Sequence, residues 1–168
     1  MVALQLGGAP AATLGEVKNR SDLVIFWGSN PADSHPRHFT RYSGTPKGRF
    51  NPRGRKDRYI VVVDIRKTPS VKYSDEFIQI KPGYDYEILT VMRMLANGKR
   101  PDQDEVGGVK VDTLEKLVDR CKKARMGVLF FGQGITETRG KHQNSAAIYQ
   151  FGKDMAAHAK FLTLPMRG

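Results

Sequence analysis

Short stretches of apolar residues recur along this chain, and their length limits the secondary structure that they can form. Residues 22–28, 57–66, 125–134 and 160–168 are continuous apolar runs bounded by charged residues or glycine. Runs of this length that contain β-branched and aromatic residues are typical of strands buried on both faces. Residues 76–83 alternate apolar and polar side chains, which predicts a short edge strand.

Amphipathic segments lie between these runs and predict helices. Apolar side chains recur with helical spacing over 84–96 and 112–124, and a further helix is expected over about 145–158. Asp112 or Thr113 is the expected N-terminal cap of the second of these helices.

The alternation of strands and helices predicts an α/β fold. We expect a mainly parallel sheet flanked by helices, in a single Rossmann-like nucleotide-binding domain over residues 1–168. Ligands of open α/β sheets bind beyond the carboxyl ends of the strands. Three of the predicted strands end in "WGSNP", "VVDIRKT" and "FFGQGITETRG". These three loops therefore predict a ligand site.

The residue types in these loops suit a large ligand that carries phosphate. Glycines allow close approach of backbone, and a helix that starts near Ser34 would direct free N–H groups towards an anion. Asp64 suits a ribose hydroxyl or a guanine edge, whereas Arg66 suits phosphate. The candidate residues are Gly28, Ser29, Asn30, Asp64, Arg66, Gly132, Gly134, Thr136 and His142.

Common fingerprints of catalytic and nucleotide sites do not occur in the sequence. Glu137 stands where a dinucleotide-binding loop has its third glycine, and there is no phosphate-binding loop or nucleophile elbow. His35 and His38 are three residues apart, but no carboxylate or cysteine joins them at a useful spacing, so no metal site is expected. Cys121, which is the single cysteine, is expected to be a small core residue.

The predicted location is the cytoplasm. No stretch approaches the roughly 20 apolar residues that span a membrane. The opening "MVALQLGGAP" lacks the basic region and the longer apolar run of a signal peptide.

Much of the positive charge lies in one segment. Residues 37–58 contain eight Lys or Arg and one acid, which supplies +7 of the formal net charge of +11. The segment is also rich in Gly, Pro, Ser and Asn, so a loop or short helix outside the core is expected. It is either a solvated linker or a surface for phosphates, an acidic partner or nucleic acid. Aromatic residues interleave with the charges, as in single-strand binders, but no recognition motif accompanies them.

Four motifs, in the same order along essentially the whole chain, resemble the molybdopterin oxidoreductases. They are "WGSNPADSHPRH", "VVVDIRKTPSVKYSDEFIQIKPGYDYEIL", "FFGQGITETRGKHQN" and "LPMRG". Within that family, "GAPAATLGEVKNRSD" and "HPRHFTRYS" are similar to the B-type subunit of the formylmethanofuran dehydrogenases, which carries the tungsten or molybdenum.

The resemblance implies a bis(molybdopterin guanine dinucleotide) cofactor with tungsten or molybdenum. It implies pyrophosphate contacts from Gly28, Ser29, Asn30 and His35, and guanosine contacts from Asp64, Arg66, Lys81, Gly83 and Asp85. It further places Gly132, Gly134, Thr136 and His142 near the pterin, and makes Arg167 the residue that holds the carboxylate of formate or a CO2-derived oxyanion.

The resemblance also implies what the chain lacks. The family's ligands for a 4Fe–4S cluster and for the metal precede the matched segment, so we expect a fragment of a larger subunit, with the other subunits of the complex as partners. The complete enzyme would couple the reversible reduction of CO2 to the formation of formylmethanofuran in methanogenesis. The alternative is the similar, metal- and pterin-free subunit of a formyltransferase/hydrolase complex of one-carbon metabolism.

Overall fold

The computed structural model describes residues 11–166, and a five-stranded sheet organises them. The strands are β1 Leu23–Trp27, β2 Tyr59–Asp64, β3 Glu76–Gln79, β4 Glu105–Val106, β5 Val109–Lys110, β6 Met126–Phe131 and β7 Lys160–Pro165. The α-helices are α1 Leu14–Arg20, α2 Pro31–Ser34, α3 Asp85–Ala96, α4 Val111–Lys123, α5 Gln133–Thr136 and α6 His142–Met155. A π-helical turn, Phe39–Ser43, and the 3-10 turns Gly54–Asp57 and Pro69–Tyr73 complete the described elements.

The sheet has the order β3-β2-β1-β6-β7, and every neighbouring pair is parallel. The central strand β1 pairs with β2 through Leu23 opposite Tyr59, and with β6 through Leu23 opposite Gly127. The β4–β5 hairpin is antiparallel and separate from this sheet. The predicted α/β class with a mainly parallel sheet is confirmed, and β3 is an edge strand as the alternating pattern predicts.

Both faces of the sheet are covered, which explains why β1 and β6 are apolar at every position. Leu23, Ile25 and Trp27 of β1 join the core cluster formed with α3, α4 and α6. Val24 and Phe26 point to the opposite face, where α1 and the π-helical turn cover them. All five residues of β1 are buried, because successive side chains of a strand point to opposite faces.

The helix boundaries differ from the prediction in two places. Helix α4 begins at Val111, and no side chain caps it; Asp112 lies within its first turn and forms an ion pair with Arg100. The predicted cap at Asp112 or Thr113 is therefore wrong. Helix α6 begins and ends three residues before its predicted limits, since the chain turns tightly at Gly140, which has a positive φ of 95°.

The basic segment 37–58 is not wholly outside the core. The Arg58 side chain is buried and donates hydrogen bonds to the backbone carbonyls of Lys18, Gly44 and Pro46. Burial lowers the pKa of this guanidinium. Carbonyl oxygens accept from both Nη groups without a carboxylate, so Arg58 fastens the segment to α1. The prediction of a loop outside the core is wrong for this residue.

Between residues 11 and 166, none of the helices has both the length and the apolar character that crossing a membrane requires.

Candidate functional site

A cleft lies at the carboxyl ends of the central strands. The chain runs from β1 outwards to β2 and β3, and it returns to β6 on the other side of β1. The loops after β1 and β6 therefore diverge from a switch point, where open α/β sheets bind their ligands. A cleft of about 320 Å³ opens here, which we call the central cleft. Its lining includes Gly28, Ser29, Asn30, Asp64, Ile65, Arg66, Thr68, Asp85, Gly134, Glu137 and Thr138.

Most of the predicted site residues meet at this place. The central cleft contains Gly28, Ser29, Asn30, Asp64, Arg66, Asp85 and Gly134. A second cleft of about 230 Å³, the side cleft, shares Ser29 and Asn30 with it and adds His35 and Gly132. The loops that follow β1, β2 and β6 are thus brought together as expected from the parallel sheet.

Lys81 and Gly83 lie in the turn before α3 but line neither of the two clefts. The aliphatic part of Lys81 packs beside Gly108, in the turn of the β4–β5 hairpin. Gly83 has a positive φ of 79°, and a Cβ there would lie 3.3 Å from the Cβ of Arg139. In this structure, the turn therefore packs against neighbouring loops.

Thr136 and His142 also lie outside the two linings. The Thr136 hydroxyl donates to the carbonyl of Gln133, within its own helical turn. His142 is exposed at the first position of α6. Arg167 lies outside the described residues, so its predicted role stays a prediction.

The glycines of the two loops are required by the packing of the loops on each other. A Cβ at Gly132 would lie 2.7 Å from the Cβ of Ser29, and one at Gly134 would lie 2.7 Å from the carbonyl oxygen of Gly28. Gly28 itself has a positive φ of 54°, which favours glycine. The N–H groups of all three glycines donate to backbone carbonyls of the protein. Loop packing thus accounts for these glycines without a ligand.

The helical turn after β1 does not begin where the sequence suggested. Helix α2 starts at Pro31 and ends at Ser34, so the prediction of a start near Ser34 is wrong. Asn30 precedes it, and its side chain donates to the Asp33 carboxylate at 2.6 Å and accepts from the Ser70 hydroxyl at 2.7 Å. Both ends of the Asn30 amide are therefore engaged within the protein.

Carboxylates outnumber cations in the lining of the central cleft. Asp64 is half-buried at the end of β2, and burial raises the pKa of its carboxyl group. Asp85 and Glu137 also face the cleft, against the single guanidinium of Arg66. Carboxylates accept hydrogen bonds and repel phosphate, so the part of the lining formed by Asp64, Asp85 and Glu137 suits ribose hydroxyls or the N–H groups of guanine better than a pyrophosphate.

The hydrogen bond between the Trp27 indole and the Asp85 carboxylate was not predicted from the sequence. The indole Nε1–H donates to Asp85 Oδ1 at 2.8 Å, and the Thr138 hydroxyl lies 3.4 Å from the other carboxylate oxygen. Asp85 is only 3% exposed, and burial is the main cause of its raised pKa. This network joins the end of β1, the start of α3 and the loop after β6. No local pattern reveals it, because the Trp27–Asp85 pair spans 58 residues of sequence.

Two hydroxyl groups in the central cleft are buried and have no hydrogen-bond partner among residues 11–166. Ser29 is 9% exposed and Thr68 is 8% exposed. A buried hydroxyl without a partner is unfavourable by roughly 1–3 kcal/mol. A ligand oxygen or N–H group in the cleft would satisfy both. Thr68 was not predicted, although it directly follows the basic residues after β2, at a position before proline.

The two histidines near β1 have different surroundings. His38 is 7% exposed, packs edge-on against Phe26 and Phe130, and forms a hydrogen bond between its Nδ1 and the Ser43 hydroxyl at 2.9 Å. Burial lowers the pKa of His38 to about 4. His35 instead borders the side cleft. Over residues 11–166, no three His, Cys, Asp or Glu side chains are placed to hold one metal ion.

Cys121 lies in the core, as predicted from its position on the apolar face of α4. It is fully buried beside Leu117 and Val118 of the same helix, in the cluster that covers one face of the sheet. Burial strongly raises the pKa of its thiol. A thiol buried among apolar side chains is unreactive as a nucleophile.

Comparison with known proteins gives consistent similarities. A family model described as molybdopterin oxidoreductase matches residues 11–161. The chain is 47% identical, over all of its 168 residues, to the tungsten-containing B-type subunit of formylmethanofuran dehydrogenase 2 from Methanococcus maripaludis, and equally to that from Methanocaldococcus jannaschii. It spans 39% of the length of each of these relatives.

A solved structure shares the fold. In the formyltransferase/hydrolase complex from Methylorubrum extorquens, crystallised with methylofuran, one chain superposes with a TM-score of 0.69. The match covers 99% of this chain and 42% of that one, at 16% sequence identity. At this identity the likeness concerns the fold alone.

Proposed function

The chain belongs to the molybdopterin oxidoreductase family, and on that premise we propose that it is the guanosine-holding α/β part of the tungsten or molybdenum subunit of a formylmethanofuran dehydrogenase. The observation that carries the proposal is the acidic central cleft at the switch point of a chain that matches such subunits over its whole length. The activity belongs to the longer subunit, of which this chain spans 39%.

The guanosine end of a molybdopterin guanine dinucleotide would lie in the central cleft. The Asp64 carboxylate is only half-buried there, so it can accept hydrogen bonds from ribose hydroxyls or from the N–H edge of guanine. Asp85 would contribute mainly by position, since Trp27 and Thr138 already bind its two oxygens. Ile65 is 39% exposed on the same rim and offers an apolar surface to the base.

The phosphate groups would lie where hydroxyls and a guanidinium face the ligand. The unpartnered hydroxyls of Ser29 and Thr68 would donate to phosphate oxygens, and Arg66 would supply the charge. The side cleft continues from Ser29 and Asn30 to His35 and Gly132, which gives the ligand a path towards the loop after β6. The buried hydroxyls of Ser29 and Thr68, which lack partners among the described residues, are the structural reason why this cleft fits the cofactor.

A Rossmann-like mode of binding is part of the proposal. Counted along the main sheet alone, the strand order is 3-2-1-4-5, which corresponds to the first five strands of the nucleotide-binding arrangement. Two dinucleotides are inferred from the family resemblance, and the contacts above would serve one of them.

The remaining predicted contacts belong to parts of the longer subunit's site. Lys81, Gly83, Thr136 and His142 line neither cleft, so their contacts with the cofactor would lie outside the two clefts. Arg167 would hold formate or a CO2-derived oxyanion electrostatically. Two-electron exchange between CO2 and the formyl group of formylmethanofuran is the chemistry that the tungsten or molybdenum pterin group supplies when bound. We place the subunit in the cytoplasm, with the other subunits of a formylmethanofuran dehydrogenase complex as partners.

The proposal is tested by isothermal titration of the full chain with GDP, which represents the guanosine and pyrophosphate of the cofactor. We expect saturable binding that Asp64→Ala weakens roughly tenfold, because a hydrogen bond to a charged group is worth about 1.5–3 kcal/mol. Asp102→Ala is the matched control, since Asp102 is an exposed carboxylate far from the cleft lining. CDP in place of GDP tests the selectivity for the base.

Three results would contradict the proposal. They are no GDP binding by a chain with parental circular dichroism, equal affinity of the Asp64→Ala variant and the parent, or equal affinity for GDP and CDP.

A further inference from the structure

The edge of the sheet opposite the cofactor clefts carries an open basic groove. Asp22 precedes β1, Tyr59 begins β2 and Arg125 precedes β6, so these residues lie at the amino ends of the strands. Together with Phe50, Arg53 and Lys56 they line a groove of about 550 Å³, which we call the amino-end groove. No part of the proposed cofactor site lies in it.

Phe50 is the exposed apolar centre of this groove, and the backbone fixes its position. The ring is 44% exposed, although it is a large apolar side chain. Its backbone N–H donates to the carbonyl of Asn19 at 2.9 Å, and its carbonyl accepts from the Arg125 guanidinium at 3.1 Å. The Arg125 guanidinium also binds the side chain of the neighbouring Asn51. An exposed aromatic residue on a rigid loop is typical of an interface anchor.

Guanidinium groups surround the two aromatic rings of the groove. The Cζ atoms of Arg20, Arg49 and Arg125 lie 5.4, 5.8 and 5.8 Å from the centroid of the Phe50 ring. Across the groove, Arg120 lies 3.6 Å from the centroid of Tyr59. Rings favour cations over their faces, so the rings hold Arg20, Arg49 and Arg120 in place, whereas the Arg125 guanidinium is already bound to carbonyl oxygens and to Asn51.

These cations have no carboxylate partners within the described chain. Arg20, Arg49, Lys56 and Arg120 form no ion pair with residues 11–166. The acids of the groove are already engaged, because Asp57 pairs with Arg53 and Asp22 accepts from the backbone N–H groups that open β6. Like charges held together repel, and anions supplied by a partner would relieve this repulsion.

The geometry favours carboxylates over nucleic acid. Binders of single strands stack bases on open aromatic faces, but a base would have to displace guanidinium groups in order to stack on Phe50 or Tyr59. Phe39, a third aromatic residue of the basic segment, is buried in the core. The planar guanidinium forks of Arg20 and Arg49 match carboxylates in two-point contacts.

We propose that the amino-end groove docks an acidic, extended segment of a partner protein, with carboxylates on Arg20 and Arg49 and an apolar side chain against Phe50. The proposal is independent of the proposed function, because none of its residues takes part in the cofactor site.

The test measures the fluorescence anisotropy of a labelled repeat peptide, Glu-Glu-Leu, upon titration with the full chain. The same peptide with Gln in place of Glu, and an oligothymidylate of equal charge, are the comparison probes. In the variant, the two arginines that lie over the Phe50 ring at the border of the groove are removed (Arg20→Ala and Arg49→Ala). Its matched control is Arg37→Ala with Arg41→Ala, which removes the same charge from exposed arginines that lie over neither ring of the groove. All variants are checked by circular dichroism.

The expected result is saturable binding of the Glu peptide alone, weakened roughly tenfold by the groove variant and less than about twofold by the control. Higher salt should weaken the binding further. An equal loss of peptide affinity in both variants would mean that net charge alone causes the binding, which would overturn the proposal. Absence of saturable binding would overturn it as well. Tighter binding of oligothymidylate that the groove variant abolishes would replace it with a nucleic-acid surface.

Discussion

Replacement of Asp85 tests whether the Trp27–Asp85 hydrogen bond stabilises the edge of the central cleft. The Asp85 carboxylate is 3% exposed and the Trp27 side chain is fully buried. The substitution Asp85→Ala removes the acceptor and leaves the indole N–H buried without a partner. The acceptor of the Thr138 hydroxyl, at 3.4 Å, is lost as well.

The size of the effect follows from these contacts. Leaving a buried donor unsatisfied is unfavourable by about 1–3 kcal/mol, so we expect Asp85→Ala to lower the free energy of unfolding by that amount. Asp85→Asn keeps an oxygen near the indole but removes the charge. This variant avoids the unfavourable burial of a charged carboxylate. It also loses the favourable interaction of that charge with the amino end of α3, worth about 0.3–1 kcal/mol. The two effects oppose each other, so its free energy of unfolding should change by less than about 1 kcal/mol.

The pH dependence separates the acceptor from the charge. Burial raises the pKa of Asp85 in the folded chain above its value in the unfolded chain. The native state is therefore favoured by this group below the unfolded-state pKa, and this contribution is lost as the pH rises through the folded-state pKa. The stability of Asp85→Asn relative to the parent should then increase from acidic to neutral pH.

Urea unfolding measures the free energies of unfolding of the parent and the two variants. Circular dichroism is the probe, because the substitutions at Asp85 change the surroundings of Trp27 and hence its fluorescence. Trp27 is the single tryptophan of the chain, so its emission gives an independent report on the environment of the indole. If the Asp85→Ala variant unfolds within about 0.5 kcal/mol of the parent, the hydrogen bond has no net value. If Asp85→Asn is as destabilised as Asp85→Ala, the charge rather than the acceptor is responsible.

Two further predictions concern the loops around β1. Gly134→Ala should destabilise the chain by about 1–3 kcal/mol, since its Cβ would lie 2.7 Å from the Gly28 carbonyl oxygen. By contrast, a Cβ at Gly15 in α1 has room, so Gly15→Ala should stabilise the chain by up to about 1 kcal/mol. Urea midpoints compare the two, and equal effects would refute the packing argument. His38 has a pKa lowered to about 4, so its contribution to stability is present above pH 6.5 and is lost as the pH falls through 4. His38→Gln should remove roughly 3 kcal/mol of this acid dependence, and His158→Gln should leave it intact; an unchanged acid dependence in His38→Gln would show that another group causes it.

In the basic segment 37–58, residue composition predicts the type of backbone structure but not the role of each arginine. The charge of the segment and its Gly, Pro and Asn content correctly predict irregular structure between β1 and β2. They do not reveal that Arg58 is buried against three carbonyls, whereas Arg49 lies over the exposed ring of Phe50. Each guanidinium has the same intrinsic chemistry, and only the neighbours assigned by the fold decide between a structural and a surface role.

The sequence by itself determined the five strands of the main sheet, the three long helices and the edge of the sheet where the cleft opens, but not the short β4–β5 hairpin. Burial on both faces forces β1, β6 and the middle of β2 to be apolar, and parallel strands bring their following loops to one edge. The tertiary structure alone decided which of the loop residues face the cleft. Asp64 and the hydroxyls of Ser29 and Thr68 line it, whereas Lys81 and Gly83 pack against other loops. The glycines serve the contact between the loops after β1 and β6, and Asp85 binds Trp27. These contacts join residues far apart in the chain. They therefore depend on the spatial order of the strands in the sheet, which local residue patterns do not encode.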